Sequence, residues 1–313
     1  MSIARQLLRV ALACGATRCA LGAARCPELT PEGASMQYAS AGAHASPPLA
    51  LRIGDLRCSE RYVAHVRCAG RLFLFSRHDL GDHKHMETLV RSTGPLPAAA
   101  DAPLPPLGKA QVGLAHGLLM SHNAAFHCAD DRILVAYGGM AHTKDQDDWQ
   151  GNDVGIVRST ADATQEPLRW STPALAVSGD KSNGCVDELA PRLCEYDGKV
   201  SVVVFKGRVL LFTRSNLSPH GGSRYVQVTR SAAAGEAAAG WSARAAGWSA
   251  FEQVRIRGFR HEDANNLYFW TVRKLHAGLL AAFFPGVIER RGGVYFSTSS
   301  DGLHWSRPSR LLP

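Results

Sequence analysis

The sequence lacks several features that would place the chain in well-defined classes of protein. No apolar run of the 313-residue chain approaches about eighteen residues, so we predict no membrane span. The chain has no long lysine/arginine run. Its net charge is +8, and four of the arginines that contribute to this charge lie in the first 26 residues. We therefore predict no nucleic-acid partner. The hydrophobic content of 45% and charged content of 20% are typical of a globular protein.

Motifs that carry other chemistries are also missing. The chain contains no CxxC or Cys/His spacing suited to a metal, and no GxSxG, P-loop or HExxH motif. It also has no GxGxxG between a strand and a helix. We therefore predict no metal site and no cofactor.

The N-terminal segment has no acidic residue before Glu28. Its alanine and leucine content, with small residues at 20–24, predicts a targeting peptide over residues 1–28. Arg9 and Arg18 interrupt the apolar stretch, so the alternatives are a secretory signal, an organellar transit peptide and a plain structural helix. Of these we expect the secretory route. Cys185 and Cys194 flank one loop and are either a disulfide or buried free thiols.

Helical periodicity is scarce after residue 30, and a strand pattern repeats instead. A strand ending in Arg-Ser or Ser-Thr occurs four times, at 86–95, 153–173, 224–256 and 293–308. In the later three copies the strand that follows the turn carries Trp-Ser. Each copy follows two further strand-like runs joined by a short turn. Four antiparallel strands over about 50 to 65 residues are typical of a propeller blade. We predict an all-β propeller over residues 45–313, with five blades of four antiparallel strands, the fifth built from degenerate segments or from both termini.

The last copy contains 299-SSDGLHW-305. This turn resembles the Asp-box of sialidases in a shortened form, and it is similar to the repeat of five-bladed propellers of the glycoside hydrolase 43/32 kind. The resemblance implies a carbohydrate-active propeller. It also implies that Asp301 and Trp305 tie the outer hairpin and have no catalytic role.

Propeller geometry places the loops from strand two to strand three, and from strand four to the next blade, on one face around the axis. We call this the axial face. Its loops concentrate histidines, carboxylates, arginines and asparagines, whereas the opposite face carries mostly Ala, Gly, Ser and Thr. We predict a polar pocket for a sugar there, although surface loops are polar in many proteins.

Glycosidic cleavage needs one protonated and one ionised carboxyl group. The axial loops offer Asp79, Asp153, Asp187, Glu188, Glu262 and Asp263. We predict that Glu188 is the acid, because the apolar Leu189-Ala190 next to it would desolvate its carboxyl. Asp153 or Asp263 would be the base or nucleophile. The predicted substrate contacts are His122, Asn123, Arg77, Arg192, Arg224 and Asn266.

Two functions remain open at this point. The first is a glycoside hydrolase acting on a polysaccharide or oligosaccharide. The second is a non-catalytic propeller that binds glycans or proteins, which is favoured because Cys58-Ser59-Glu60 and His122-Asn123 stand where the hydrolases have an aspartate. Two carboxyl groups about 5 to 10 Å apart across the pocket would favour hydrolysis.

Overall fold

The computed structural model describes residues 35–38, 49–52, 60–79, 86–97, 105–114, 124–140, 153–189, 193–194, 196, 200–217, 223–231, 247–259 and 266–312. These residues are almost entirely strand, turn and loop. Their one helical element is a 3₁₀ turn at Lys181–Asn183. In this described part, no helix has the length and apolar character needed to cross a membrane.

The strands form four successive antiparallel sheets, which we call blades 1 to 4. Blade 1 contains β3 (Glu60–Cys68), β4 (Arg71–Asp79), β5 (Met86–Ser92) and β6 (Gln111–Leu114). Blade 2 contains β7 (Ala125–Ala129), β8 (Ile133–Met140), β9 (Asp153–Arg158) and β10 (Ala174–Val177). Blade 3 contains β11 (Ser201–Phe205), β12 (Arg208–Leu217), β13 (Ser223–Arg230) and β14 (Glu252–Gln253). Blade 4 contains β16 (Asn266–Leu267), β17 (Thr271–His276), β18 (Leu279–Ile288), β19 (Arg291–Ser299) and β21 (Ser309–Leu312).

The first strands of the blades contact one another in chain order. β3 contacts β7, β7 contacts β11, and β11 contacts β17. Consecutive sheets that meet through their first strands are arranged about a common axis, so the predicted all-β propeller fold is confirmed.

The predicted fifth blade is not found among the described residues, which form four blades. The C-terminal strand β21 completes blade 4 by pairing with β19. The N-terminal strands β1 (Ser35–Tyr38) and β2 (Leu49–Arg52) form a separate two-stranded sheet. The short strands β15 (Arg255–Ile256) and β20 (His304–Trp305) pair in parallel and join the end of blade 3 to the outer hairpin of blade 4. The segments that were expected to supply a fifth blade therefore have other partners or lie outside the described residues, as does the predicted targeting peptide.

The turns predicted between the first and second strands of three blades have the expected conformation. Both central residues adopt positive φ in the pairs Ala69-Gly70, Asp130-Asp131 and Lys206-Gly207. The first and third of these loops are two residues long, and this conformation suits them because its twist matches that of the flanking strands. The Asp130-Asp131 loop also includes Arg132.

Hydroxyl groups explain the repeated Arg-Ser and Trp-Ser pairs. The serine after each tryptophan accepts a hydrogen bond from a third-strand amide; the pairs are Ser171 with Arg158, Ser249 with Arg230, and Ser306 with Thr298, at 3.2, 3.1 and 3.0 Å. The hydroxyl that ends the third strand accepts one from the second strand; the pairs are Thr93 with Leu72, Ser159 with Leu134, and Ser231 with Val209, at 3.1, 3.1 and 3.0 Å. The outer hairpins are thus closed by side chains that repeat in the sequence.

Apolar side chains and one covalent bond join neighbouring blades. The rings of Phe75 and Phe126, both buried, stack between blades 1 and 2. A disulfide links Cys68 at the end of β3 to Cys128 in β7. Between blades 3 and 4, the Val272 amide donates to the buried Ser201 hydroxyl at 2.9 Å. A separate cluster of buried apolar side chains lies between each pair of successive blades.

The histidine of β7 makes stability depend on pH. Burial lowers the pKa of His127 to about 4, from an ordinary value near 6.5. A depressed pKa in the folded state means that stability is complete above about pH 6.5 and is lost as pH falls towards 4. We expect the free energy of unfolding, measured in urea, to be up to about 2 kcal/mol lower at pH 5 than at pH 7.5.

The variant His127→Gln should lose this part of the pH dependence, because glutamine does not titrate. His276→Gln is the matched control, since His276 is exposed and also lies in a first strand. Equal pH slopes for the wild type and His127→Gln would contradict the prediction.

Candidate functional site

Polar side chains of blades 2 to 4 meet on the axial face. Asp153 begins β9, Asn216 lies near the end of β12, and Arg224 lies near the start of β13. The loop between β10 and β11 reaches the same face, because Asp187 in that loop forms a parallel bridge with Asn216. The short strand β16 reaches it through Asn266, which accepts a hydrogen bond from the Arg224 amide. These residues form the described part of the axial face.

Asp153 is a buried carboxylate, with 5% of its surface exposed. Its Oδ1 accepts a hydrogen bond from the Gly179 amide at 2.7 Å. The first residue of β9 is thereby tied to the loop that leaves the same blade.

Asp187 is a second buried carboxylate, with 3% of its surface exposed. Its Oδ2 accepts from Nδ2 of Asn216 at 3.0 Å, and its Oδ1 accepts from the Leu189 amide at 3.1 Å. Both oxygens of the Asp187 carboxyl group therefore accept a hydrogen bond. The sequence identified Asp187 only as a member of the axial set; the preference for Glu188 followed from its apolar neighbours.

Tyr196 lies close to both carboxylates. Its hydroxyl donates to the Ser178 carbonyl at 3.0 Å and accepts from Nδ2 of Asn183 at 3.4 Å. Burial raises the pKa of Tyr196, and the negative charges of Asp153 and Asp187 raise it further. The same loop also holds both aspartates, because the Gly179 amide donates to Asp153 and Nζ of Lys181 donates to the Asp187 carbonyl at 2.7 Å.

The loop that carries Asp187 is held from several directions. Asp180 caps its 3₁₀ turn by accepting from the Ser182 amide at 2.8 Å, and Gly184 follows with φ of +80°. A disulfide joins Cys185 to Cys194, which resolves the two alternatives left open by the sequence. These constraints fix the backbone that presents Asp187.

Contacts with blade 3 also hold this loop. Val186 donates to Oε1 of the fully buried Gln227 at 2.9 Å, and its carbonyl accepts from the Ser215 hydroxyl at 2.7 Å. Asp187 is thus positioned from both of the blades that flank it.

Glu188 lies beside this cluster but is exposed. Its amide donates to the Asn216 carbonyl at 2.8 Å, while Leu189, expected to shield it, is 53% exposed. The shielding from which we predicted its role is therefore not found, and that role stays a prediction.

Arg224 and Asn266, two of the predicted substrate contacts, are brought together between blades 3 and 4. The Arg224 amide donates to Oδ1 of Asn266 at 3.2 Å. The Arg224 guanidinium stacks over the ring of Tyr268 at 4.4 Å. Tyr268 was not predicted, because an aromatic residue within a strand-like run is more often part of a core.

The remaining predicted residues cannot be placed in the site. His122, Asn123, Arg192 and Asp263 lie outside the described residues. For Arg77 the backbone alone is described, in β4 opposite Arg61 and Thr88. Among the described residues, no group of three or more His, Cys, Asp or Glu side chains could hold a metal ion.

A cavity of about 220 Å³ lies on the opposite face, between blades 1 and 2. Glu166 reaches into it from blade 2 and accepts from Ser92 at 3.0 Å, from Gln111 at 3.2 Å and from Arg71 at 3.4 Å. These donors use both oxygens of Glu166. The carboxylate therefore joins the two blades and is remote from the axial cluster.

Comparison with known proteins leaves the family open. No protein-family model matches the chain, and no curated protein matches it. The structure is similar to an α-L-arabinanase of Cellvibrio cellulosa, with a TM-score of 0.47 and 10% identity over 80% of this chain and 77% of that one. It is also similar to an α-L-arabinofuranosidase of Lactobacillus brevis, with a TM-score of 0.48 and 10% identity over 83% of this chain and 79% of that one.

A sialidase of Trypanosoma rangeli gives a TM-score of 0.44 and 13% identity over 79% of this chain and 37% of that one. Because these TM-scores lie below 0.5 and the identities are low, the similarities establish neither a family nor an activity for this chain.

Proposed function

We propose that this protein is a carbohydrate-active propeller of the glycoside hydrolase 43/32 kind, which binds a glycan on its axial face and cleaves it. The observation that carries the proposal is the cluster of Asp153 and Asp187 around Tyr196, with Glu188 exposed beside it. Hydrolysis of a glycosidic bond requires one carboxyl group that gives a proton and one that stays ionised. The axial cluster offers candidates for these two roles.

The roles are those predicted from the sequence. Glu188 is open to solvent, where a glycan can reach it, and is the candidate that gives its proton to the glycosidic oxygen. Asp153 is held in place by the Gly179 amide. We assign Asp153 as the base or nucleophile, with Asp263 as the alternative.

A second candidate function is glycan binding without cleavage. It is favoured by the near-complete burial of Asp153 and Asp187 and by their bonds to backbone amides, since carboxylates held in this way are often structural. The stacked Arg224 and Tyr268 provide a surface for a sugar that needs no carboxylate.

We also propose that the protein follows the secretory route, with an organelle as the alternative. Two disulfides lie among the described residues, one within a loop and one between blades. Disulfides form and persist in oxidising compartments, which supports the targeting peptide predicted over residues 1–28.

Replacing Glu188 with glutamine is expected to lower kcat about a hundredfold or more, because general acid catalysis contributes at least that much. The measurement is turnover on a panel of aryl-glycosides, arabinan, xylan and galactan oligomers. Glu252→Gln is the matched control, since Glu252 lies in the outer strand β14.

Three outcomes distinguish the candidates. Loss of turnover in Glu188→Gln with the control unchanged would support hydrolysis and the assigned acid. Turnover that survives in Glu188→Gln but is lost in Asp153→Asn would move the acid to another carboxyl group. Binding on a glycan array with no turnover on any substrate would make the protein a glycan-binding propeller.

A further inference from the structure

The guanidinium of Arg224 is a half-buried positive charge that no described residue neutralises. It stacks on Tyr268 at 4.4 Å, yet it makes no hydrogen bond or ion pair with any described residue. Its Nε is buried and lacks an acceptor in that part of the chain. A buried donor without an acceptor is costly, and more so when it carries charge, so an acceptor from outside the chain would stabilise it.

Asn266 adds a second donor at the same place. Its Oδ1 accepts from the Arg224 amide, which identifies the other atom of the side-chain amide as the nitrogen. That Nδ2 has no acceptor among the described residues. The pair therefore presents several N–H donors, an arrangement that favours a ligand atom that accepts hydrogen bonds.

The surroundings add further positive charge. The guanidinium of Arg214 lies 5.8 Å from the centre of the same Tyr268 ring. Two cations at one ring raise the local potential, and stacking holds a guanidinium so that its N–H groups point outward in one plane. A planar fork of this kind matches the two oxygens of a carboxylate or sulfate.

The position is next to the carboxylate cluster. Arg224 lies directly across from Asn216 in the β12–β13 ladder, and Asn216 binds Asp187. Directly opposed residues on antiparallel strands have Cβ atoms about 5 Å apart. Arg224 therefore lies beside the residue that binds Asp187.

We propose that Arg224, Asn266 and Tyr268 form a subsite for an anionic sugar, one that bears a carboxylate or a sulfate ester. This rests on the proposed binding of a glycan at the axial face and adds the chemical class of that glycan. The guanidinium and the Asn266 amide donate to the anionic oxygens, and Tyr268 holds the guanidinium flat.

Binding of oligosaccharides to the full-length protein tests the proposal by calorimetry. One arm compares oligogalacturonate with its methyl ester, which removes the carboxylate charge and keeps the sugar. The other arm compares a sulfated galactan oligomer with its desulfated form. The wild type should bind the charged member of at least one pair about tenfold more tightly, with affinity falling as salt rises.

Two variants assign that preference to the subsite. Arg224→Gln removes the charge and should abolish the preference. Asn266→Asp keeps the acceptor for the Arg224 amide but replaces the Nδ2 donor with a carboxylate oxygen, so we expect about tenfold weaker binding of the charged oligomer. Arg208→Gln is the matched control, because Arg208 is exposed at the opposite end of β12 and loses the same charge.

The remaining outcomes overturn the proposal in distinguishable ways. Binding or cleavage of neutral glycans only would overturn the anionic subsite and leave the proposed function intact. A preference for charge that Arg224→Gln and Arg208→Gln weaken equally would mean general attraction, not a subsite. Absence of binding to any glycan would overturn the subsite and the proposed function together. Thermal unfolding of each variant verifies that it is folded.

Discussion

Replacing both Cys68 and Cys128 with alanine is expected to lower the free energy of unfolding by about 4 kcal/mol. The disulfide joins residues separated by 60 positions and holds the first strands of blades 1 and 2 together. It stabilises the fold mainly because it restricts the unfolded chain, and the restriction grows with the length of the closed loop. Equilibrium unfolding in guanidinium chloride under oxidising conditions measures the loss.

The second disulfide provides an internal comparison. Cys185 and Cys194 are 9 positions apart, so replacing them with alanine should cost only about 2.5 kcal/mol by the same argument. If both double variants lose the same stability, loop length does not determine the effect, and strain or packing at the bridges must be considered instead.

Truncating Trp305 to alanine is expected to lower the free energy of unfolding by about 3 to 5 kcal/mol, as measured by equilibrium unfolding in guanidinium chloride. The side chain is 3% exposed and lies edge-on to Trp270 in blade 4 at 5.0 Å and to Phe212 in blade 3 at 6.0 Å. Its Nε1 also donates to the Gly302 carbonyl at 3.0 Å. The substitution therefore leaves a cavity between two blades and an acceptor without its partner.

Trp170→Ala is the matched control, because Trp170 holds the same place in the repeat of blade 2 but is only half-buried. We expect a distinctly smaller loss for it. Trp305→Phe should recover much of the packing and lose the hydrogen bond, at a cost of about 1 to 2 kcal/mol. An equal loss for Trp170→Ala and Trp305→Ala would show that the blade interface is not what makes Trp305 important.

The parts of the fold that depend on nearby residues could be predicted from the sequence. The Asp130-Asp131 turn is specified by its aspartates and the Lys206-Gly207 turn by its glycine, which tolerate positive φ, and the strands around them by short apolar runs. The Trp-Ser pairs marked the returning strands because a serine hydroxyl closes each hairpin locally. The number of blades was not predictable in this way, since it depends on which distant strands pair at the termini.

The candidate site was predictable only as a region. Asp187 and Glu188 are neighbours of similar chemistry, and the sequence does not show which of them turns inward. That choice is made by the contacts of Asn216 and Gln227 from another blade and by the Cys185–Cys194 bridge. Tyr268 meets Arg224 only after blades 3 and 4 have packed. Side chains that are far apart in the chain and joined by tertiary contacts leave no local pattern.

The outer hairpins have a consequence for how such a protein diverges during evolution. Those of blades 2 to 4 are closed at their base by a serine hydroxyl, whether the chain between is short, as from Thr298 to Ser306, or long, as from Arg230 to Ser249. Insertions beyond that closure add length on the face opposite the axial loops and leave the strands in register. The loops on the face opposite the axial loops can therefore gain or lose whole segments during evolution. Selection on the residues of the axial face can act independently of these changes.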